Sequence, residues 1–291
     1  MKSVTEVVKD LCPHPTLFLN YIERIDQMVR AIATDIDGTF LRSDRTYDRE
    51  LFKKVYTAMQ AQGIRFIIAS GDQYDFLRSL FPDEADYLAY VAENGVLTID
   101  YNTEIAFDHL STENISAITH FLDSLEGVDY CASGKKAAYV RHNASPEFKK
   151  LIPNFYTKIK EVADINQVTD DPIFKFAMSV PPVKMREIQA TINHRFEGII
   201  HATASGYGAV DLIIPGRDKS YGLHKLLDRW HLTPEQLVVF GDGENDLEMF
   251  NFAKTSYAME NAPKNVKQAA SKVIGTNEEQ AVLHQITKLV I

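Results

Sequence analysis

Two aspartates one residue apart, Asp35 and Asp37 in Asp35-Ile36-Asp37-Gly38-Thr39, could divide a phosphoryl transfer between them. One carboxylate can attack phosphorus while the other hands a proton to the leaving oxygen. Gly38 and Thr39 turn the chain tightly, so that backbone N–H groups can face an anion. Three further segments carry compatible chemistry. Ser70-Gly71-Asp72, at a strand end, offers a hydroxyl and a backbone N–H at a helix N-terminus, a phosphate contact. Gly241-Asp242-Gly243-Glu244-Asn245-Asp246 supplies hard oxygen donors of the kind Mg²⁺ takes. Lys219, near a helix start, can neutralise a phosphate. Each segment also has a plain reading on its own. Asp-Gly is common in turns, Ser70-Gly71 can cap a helix, Asp242 and Asp246 can cap one too, and most lysines are simply solvated.

These segments need a scaffold that brings them together, and the hydrophobic pattern supplies one. Ala31-Ile32-Ala33-Thr34 is a short apolar run that stops at Asp35 and reads as a buried parallel strand. Helical periodicity over 48–62 puts Leu51, Phe52, Val55, Ala58 and Met59 on one face, with Gly63 where a helix-ending glycine belongs. Strands over 64–69 and 87–92 flank a helix over 73–81. The alternation predicts an α/β fold with a doubly wound parallel sheet. In such sheets ligands bind beyond the carboxyl ends of the strands, where Asp35, Ser70 and Asp242 all fall.

The middle of the chain reads differently. Short strands at 97–99 and 105–107, a helix at 115–125, then mixed segments at 137–140, 146–159, 174–180, 183–196 and 198–201 predict an α+β insert. The α/β pattern resumes with a helix over 219–230, a strand over 237–240 and a helix over 246–252, and runs to the end. Residues 1–29 form a preamble, with helical periodicity at 4–11 and 17–29 broken by Cys12-Pro13-His14-Pro15.

Composition narrows the function classes. The 291 residues are 45% hydrophobic and 24% charged, with a net charge of −9. Nothing in that global charge points to nucleic acid, and no window is dense enough in Lys and Arg for a polyanion track. No 18-residue apolar run exists, so no membrane span is expected. Two distant cysteines, Cys12 and Cys131, and no basic-then-apolar leader predict a reduced, cytoplasmic setting. The nine histidines show no metal-ligand pair.

Taken in order, the four segments resemble the four motifs of the haloacid dehalogenase superfamily. Asp35–Thr39 resembles motif one, Ser70 motif two, Lys219 motif three and Gly241–Asp246 motif four; Glu93-Asn94-Gly95 and Asn261-Ala262 are further matches. From Asp35 to Ser70 is 35 positions, from Ser70 to Lys219 149, and from Lys219 to Asp242 23. The long interval is where the family inserts a type II cap, and the mixed pattern resembles the type IIB cap of Cof-like sugar phosphatases. The resemblance implies a Rossmann-like core over 30–97 and 209–291 and a cap over 98–208.

It further implies a Mg²⁺-dependent phosphatase of small phosphomonoesters of the sugar-phosphate kind. Asp35 would be the nucleophile and Asp37 the acid and base. Mg²⁺ would be held by Asp35, the Asp37 carbonyl, Asp242 and Asp246. Ser70, Gly71, Lys219, Asn245, Gly38 and Thr39 would contact the phosphoryl group. A monomer or weak homo-oligomer is expected, acting on a small-molecule phosphate ester, with no nucleic-acid or membrane partner. A phosphomutase, or a non-catalytic binding protein on the same fold, are the alternatives. The chain departs from the family pattern at Asp72, where Arg is common, at Ser220, where Gly is usual, and at Gln280-Ala281-Val282, which replaces a common Gly-Val.

Overall fold

All four side chains of Ala31–Thr34 (β1) are buried, as the apolar run predicts for a strand covered on both faces. The structure is a computed structural model that describes residues 29–204 and 209–291. The preamble, with Cys12, lies outside the described residues. After β1 come α1 (Arg49–Ala61), β2 (Arg65–Ala69), α2 (Tyr74–Leu80), β3 (Ala89–Ala92), β4 (Leu97–Asp100) and β5 (Thr103–Phe107). Then follow α3 (Thr112–Asp123), β6 (Asp129–Gly134), β7 (Ala138–Arg141), α4 (Pro146–Leu151), β8 (Ile159–Val162), β9 (Ile173–Ser179), α5 (Met185–Arg195), β10 (His201–Ala204) and β11 (Ala209–Ile213). The chain closes with α6 (Lys219–Trp230), β12 (Leu237–Gly241), α7 (Leu247–Phe252), β13 (Thr255–Met259), α8 (Lys264–Ala269), β14 (Lys272–Ile274) and α9 (Ala281–Val290). The protein is an α/β fold that divides into two units: residues up to Ala69 with Leu226–Ile291, and Ser70–Lys225.

In the first unit five strands run parallel in the order β14-β13-β12-β1-β2. Thr34 pairs with both Phe240 and Ile68, so β1, β12 and β2 end level and their following residues emerge at one sheet edge. Helix α1 starts at Asp48, whose carboxylate accepts from the Leu51 N–H at 2.9 Å, and ends before Gly63 at φ +67°. It buries Phe52, Val55, Tyr56 and Met59. Phe52 meets Phe40 edge-on at 5.7 Å, which ties the helix to the loop that follows Asp35.

In the second unit β3, β4 and β5 form an antiparallel ladder with a bulge at Thr98/Ile99. Six more strands pair in the order β10-β11-β9-β6-β7-β8, antiparallel except for β7 with β8. Helices α3 and α5 cover one face through Ile115, Ile118, Leu122, Ile188 and Ile192, packed with Phe176, Met178 and Leu212 of the sheet. Cys131, Val140, Phe148 and Tyr156 cluster separately.

Several boundaries moved for identifiable reasons. The expected strand at 87–92 begins at Ala89 because Ala85–Tyr87 make a 3₁₀ turn. The segment 146–159 is a helix only to Leu151; it continues as a 3₁₀ turn with Pro153, and β8 begins at Ile159. Strands β6 and β11 were not singled out by pattern. They carry Asp129, Ser133 and Asp211 among their apolar residues, which blurs the strand signal.

Candidate active site

Asp35 follows the last residue of β1 and is buried, its N–H donating to the Phe240 carbonyl at 2.9 Å. The chain then coils back: the N–H groups of Thr39, Phe40 and Leu41 all donate to the Ile36 carbonyl at 3.0–3.3 Å. This turn depends on Gly38, at φ +76°, where a Cβ would overlap the Asp242 carboxylate. Thr39 Oγ1 donates to Asp242 Oδ1 at 2.7 Å, so the first and fourth motifs are joined directly. Asp37 is exposed at the tip of the turn.

Asp242 follows β12, and the next turn is closed by Asp246. Its Oδ2 accepts from the Asp242 and Gly243 N–H groups at 2.8 and 2.9 Å. Charge-assisted bonds of this kind hold an acidic turn rigid. Asp246 is fully buried and packs so close to Gly241 that a Cβ there would overlap it. Asn245 is exposed on the same turn.

Carboxylate oxygens of Asp35, Asp242 and Asp246 lie within 4.8 Å of one another. An all-carboxylate donor set, partly buried and this compact, fits a hard divalent cation and is costly without positive charge nearby. The Asp37 carboxylate is not part of this group, and its expected role toward a metal was through its carbonyl.

The second unit holds the other predicted contacts. Ser70 is buried; its N–H donates to the Val91 carbonyl at 2.9 Å and its hydroxyl accepts from the Asp72 N–H at 3.1 Å. Gly71 packs against the Asn94 side chain. Lys219, the first residue of α6, is fully buried. The residue before it, Asp218, accepts from the Ser220 hydroxyl at 2.6 Å and the Tyr221 N–H at 3.1 Å. Ser220, where the family pattern has Gly, thus helps to cap the helix that carries Lys219.

Sequence reasoning assigned no bracing role to three amides that hold the first motif. Asn261 Nδ2 donates to the Gly38 carbonyl at 2.8 Å, and Asn277 Nδ2 to the Leu41 carbonyl at 2.9 Å. Gln280 Nε2 donates to the Phe40 carbonyl at 3.3 Å, and its Oε1 accepts from the Asp48 N–H at 2.8 Å. Gln280 sits at φ +54°, a conformation that suits the glycine of the family pattern, and its side-chain bonds offset that cost. Asn261 was visible only as a motif match, and the departure at Gln280 was the one cue to the last.

A family model described as haloacid dehalogenase-like hydrolase matches residues 32–286. The 5-amino-6-(5-phospho-D-ribitylamino)uracil phosphatase YbjI of Escherichia coli is 36% identical over 261 residues, which is 90% of this chain and 96% of that protein. The Bacillus subtilis phosphatase of the same activity name, YitU, is 27% identical over 271 residues, 86% of this chain and 94% of its own. Among solved structures, SMU.1108c of Streptococcus mutans superposes with a TM-score of 0.84 at 36% identity, over 89% of this chain and 98% of that one. The subclass IIB sugar phosphatase BT4131 shares the fold, with a TM-score of 0.75 at 20% identity over 90% and 100% of the chains.

Proposed function

Given that the chain belongs to the haloacid dehalogenase-like hydrolases and is a phosphoric monoester hydrolase, we propose that it hydrolyses small sugar or sugar-alcohol phosphates with Mg²⁺, through a phosphoryl group carried on Asp35. The observation that carries this reading is the Asp35–Asp242–Asp246 cluster at the sheet edge, locked to the first motif by the Thr39–Asp242 bond.

Asp35 attacks phosphorus, the bond to the leaving oxygen breaks, and Asp37 gives that oxygen its proton. The ionised Asp37 then takes a proton from water, which attacks the aspartyl-phosphate, releases phosphate and restores Asp35. The exposure of Asp37 at a turn tip suits a group that must meet both leaving group and water. Asp35, the Asp37 carbonyl, Asp242 and Asp246 would hold Mg²⁺. When bound, Mg²⁺ offsets the repulsion between phosphoryl oxygens and carboxylates. Ser70, Gly71, Lys219, Asn245, Gly38 and Thr39 take the phosphoryl oxygens, with Lys219 as the fixed positive charge. Residues 98–208 form the cap that reads the leaving group.

The phosphoribityl group named in the Escherichia coli relative's activity makes that uracil derivative the first substrate to try. The experiment is phosphate release from a panel of phosphate esters that includes it, with and without Mg²⁺ and with no bisphosphate added. Mg²⁺-dependent release from polyol phosphates supports the reading. Phosphate transfer that needs a bisphosphate would replace it with a mutase.

A further inference from the structure

Lys175, in the middle of β9, is buried although no residue around it in sequence announces a polar role. Its neighbours Phe176 and Met178 belong to the core beneath α3 and α5. Lys175 itself lies 3.1 Å from Glu93 Oε2, 3.9 Å from Asp211 Oδ2 and 3.5 Å from the Gly71 carbonyl. Burial disfavours its charge, but the carboxylates of Glu93 and Asp211 outweigh that and hold the ammonium well above its ordinary pKa. A buried cation retained at this position has a task other than solvation.

Its partner stands in an unusual stretch of backbone. Glu93, Asn94 and Gly95 all have positive φ, at 52°, 57° and 98°. Two successive non-glycine residues in the left-handed region persist only where surrounding contacts over-determine them. Those contacts reach both expected phosphate elements of this unit. The Glu93 N–H donates to the Asp72 carbonyl at 3.1 Å and the Asn94 N–H to the Ser70 carbonyl at 3.0 Å. Gly95 runs so close to Asp218 that a Cβ would overlap the Asp218 carbonyl, one residue before Lys219. The Glu93–Gly95 loop therefore touches the Ser70–Asp72 segment on one side and the start of α6 on the other, while Lys175 clasps its first side chain.

We propose that Lys175 is a positioning residue: by pairing with Glu93 and approaching the Gly71 carbonyl, it holds the Glu93–Gly95 loop and with it the Ser70–Gly71 phosphate contact. This rests on the reading of Ser70 as a phosphate contact. Lys175 needs no contact with the phosphate itself. Its ammonium is the counter-charge that opposes the burial pushing the Glu93 carboxyl toward its neutral form; without it the loop loses its ionic clasp.

The test measures binding of inorganic phosphate to the Mg²⁺-loaded full chain by calorimetry for wild type, Ser70→Ala, Lys175→Met and the double variant Lys175→Met/Glu93→Gln. Circular dichroism and thermal midpoint are recorded for each. Ser70→Ala is expected to weaken phosphate binding about tenfold, and Lys175→Met to weaken it at least fivefold while folded. The double variant, which removes both charges of the Lys175–Glu93 pair and leaves only the partly exposed Asp211 without its lysine, is expected to regain most of that loss. Its Mg²⁺ affinity, set by Asp35, Asp242 and Asp246, should stay within twofold of wild type. If Ser70→Ala binds phosphate normally, the reading of Ser70 fails. If Ser70→Ala is impaired but folded Lys175→Met binds phosphate as wild type does, with only its midpoint lowered, Lys175 is a stability element and the inference is overturned. Should Lys175→Met not fold, the double variant decides alone, and a loss beyond fivefold there contradicts the charge-pair account.

Discussion

Two turns in this molecule hold left-handed backbone beside polar groups, and they are built in opposite ways. The turn after β1 is secured by Thr39 to Asp242 and by the close approach of Gly38 to the same carboxylate, both partners lying in segments with their own sequence signature. The turn after β3 is secured at Glu93 by Lys175, which comes from a strand that carries none of the motifs. Chemistry that depends on contiguous residue types can be read from spacing. A clasp supplied by one residue of an alternating strand needs the sheet to be built first.

The contrast can be broken most severely at the nucleophile. Asp35→Asn should lower kcat by about 10⁴-fold or more, as loss of a nucleophile does when the rest of a catalytic unit survives. Phosphate release with an unchanged circular-dichroism spectrum checks it. The next largest effect is on stability: Phe176→Ala, in the core under α3 and α5, should cost about 3–5 kcal/mol, read by urea unfolding. A loss near zero would mean that the second sheet is not packed as described.

Gly38→Ala tests the first turn itself. The added methyl meets the Asp242 carboxylate at a backbone angle that disfavours side chains, so the first and fourth motifs must separate. A displacement of an ångström or so costs about 10²-fold in kcat/KM. Full activity in this variant would show that the turn has slack. The smallest effect belongs to Asp72. A negative charge stands where Arg is common, and Asp72→Arg should raise the kcat/KM ratio of bisphosphates over monophosphates about fivefold, the worth of roughly 1 kcal/mol between charges near a solvated surface. An unchanged ratio would remove Asp72 from any account of specificity.

Legibility followed the same division. Strands β1 and β12 are buried along their whole length and announce themselves as apolar runs ending at Asp35 and Asp242. Helix α1 was legible from its stripe and its caps. In the second unit β6 and β11 were not singled out, because one face of each mixes Asp129, Ser133 and Asp211 with small apolar residues. The acidic cluster was legible from two short motifs, each set at the end of an apolar strand. Asn261, Asn277 and Gln280 were not, because a side-chain amide that braces a distant carbonyl leaves no periodicity behind. Lys175 was hidden for a further reason: a lysine inside a strand is by default a solvated edge residue, and only its burial beside Glu93 gives it meaning.

The central claim is that phosphate passes through Asp35. Its most direct test is rapid acid quench of the full chain with radiolabelled substrate and Mg²⁺, followed by mapping of the labelled peptide. The account predicts transient label on the peptide containing Asp35, in an alkali-labile acyl-phosphate linkage, that disappears as inorganic phosphate forms. Label on any other residue, or Asp35→Asn turning over at the wild-type rate, would contradict it.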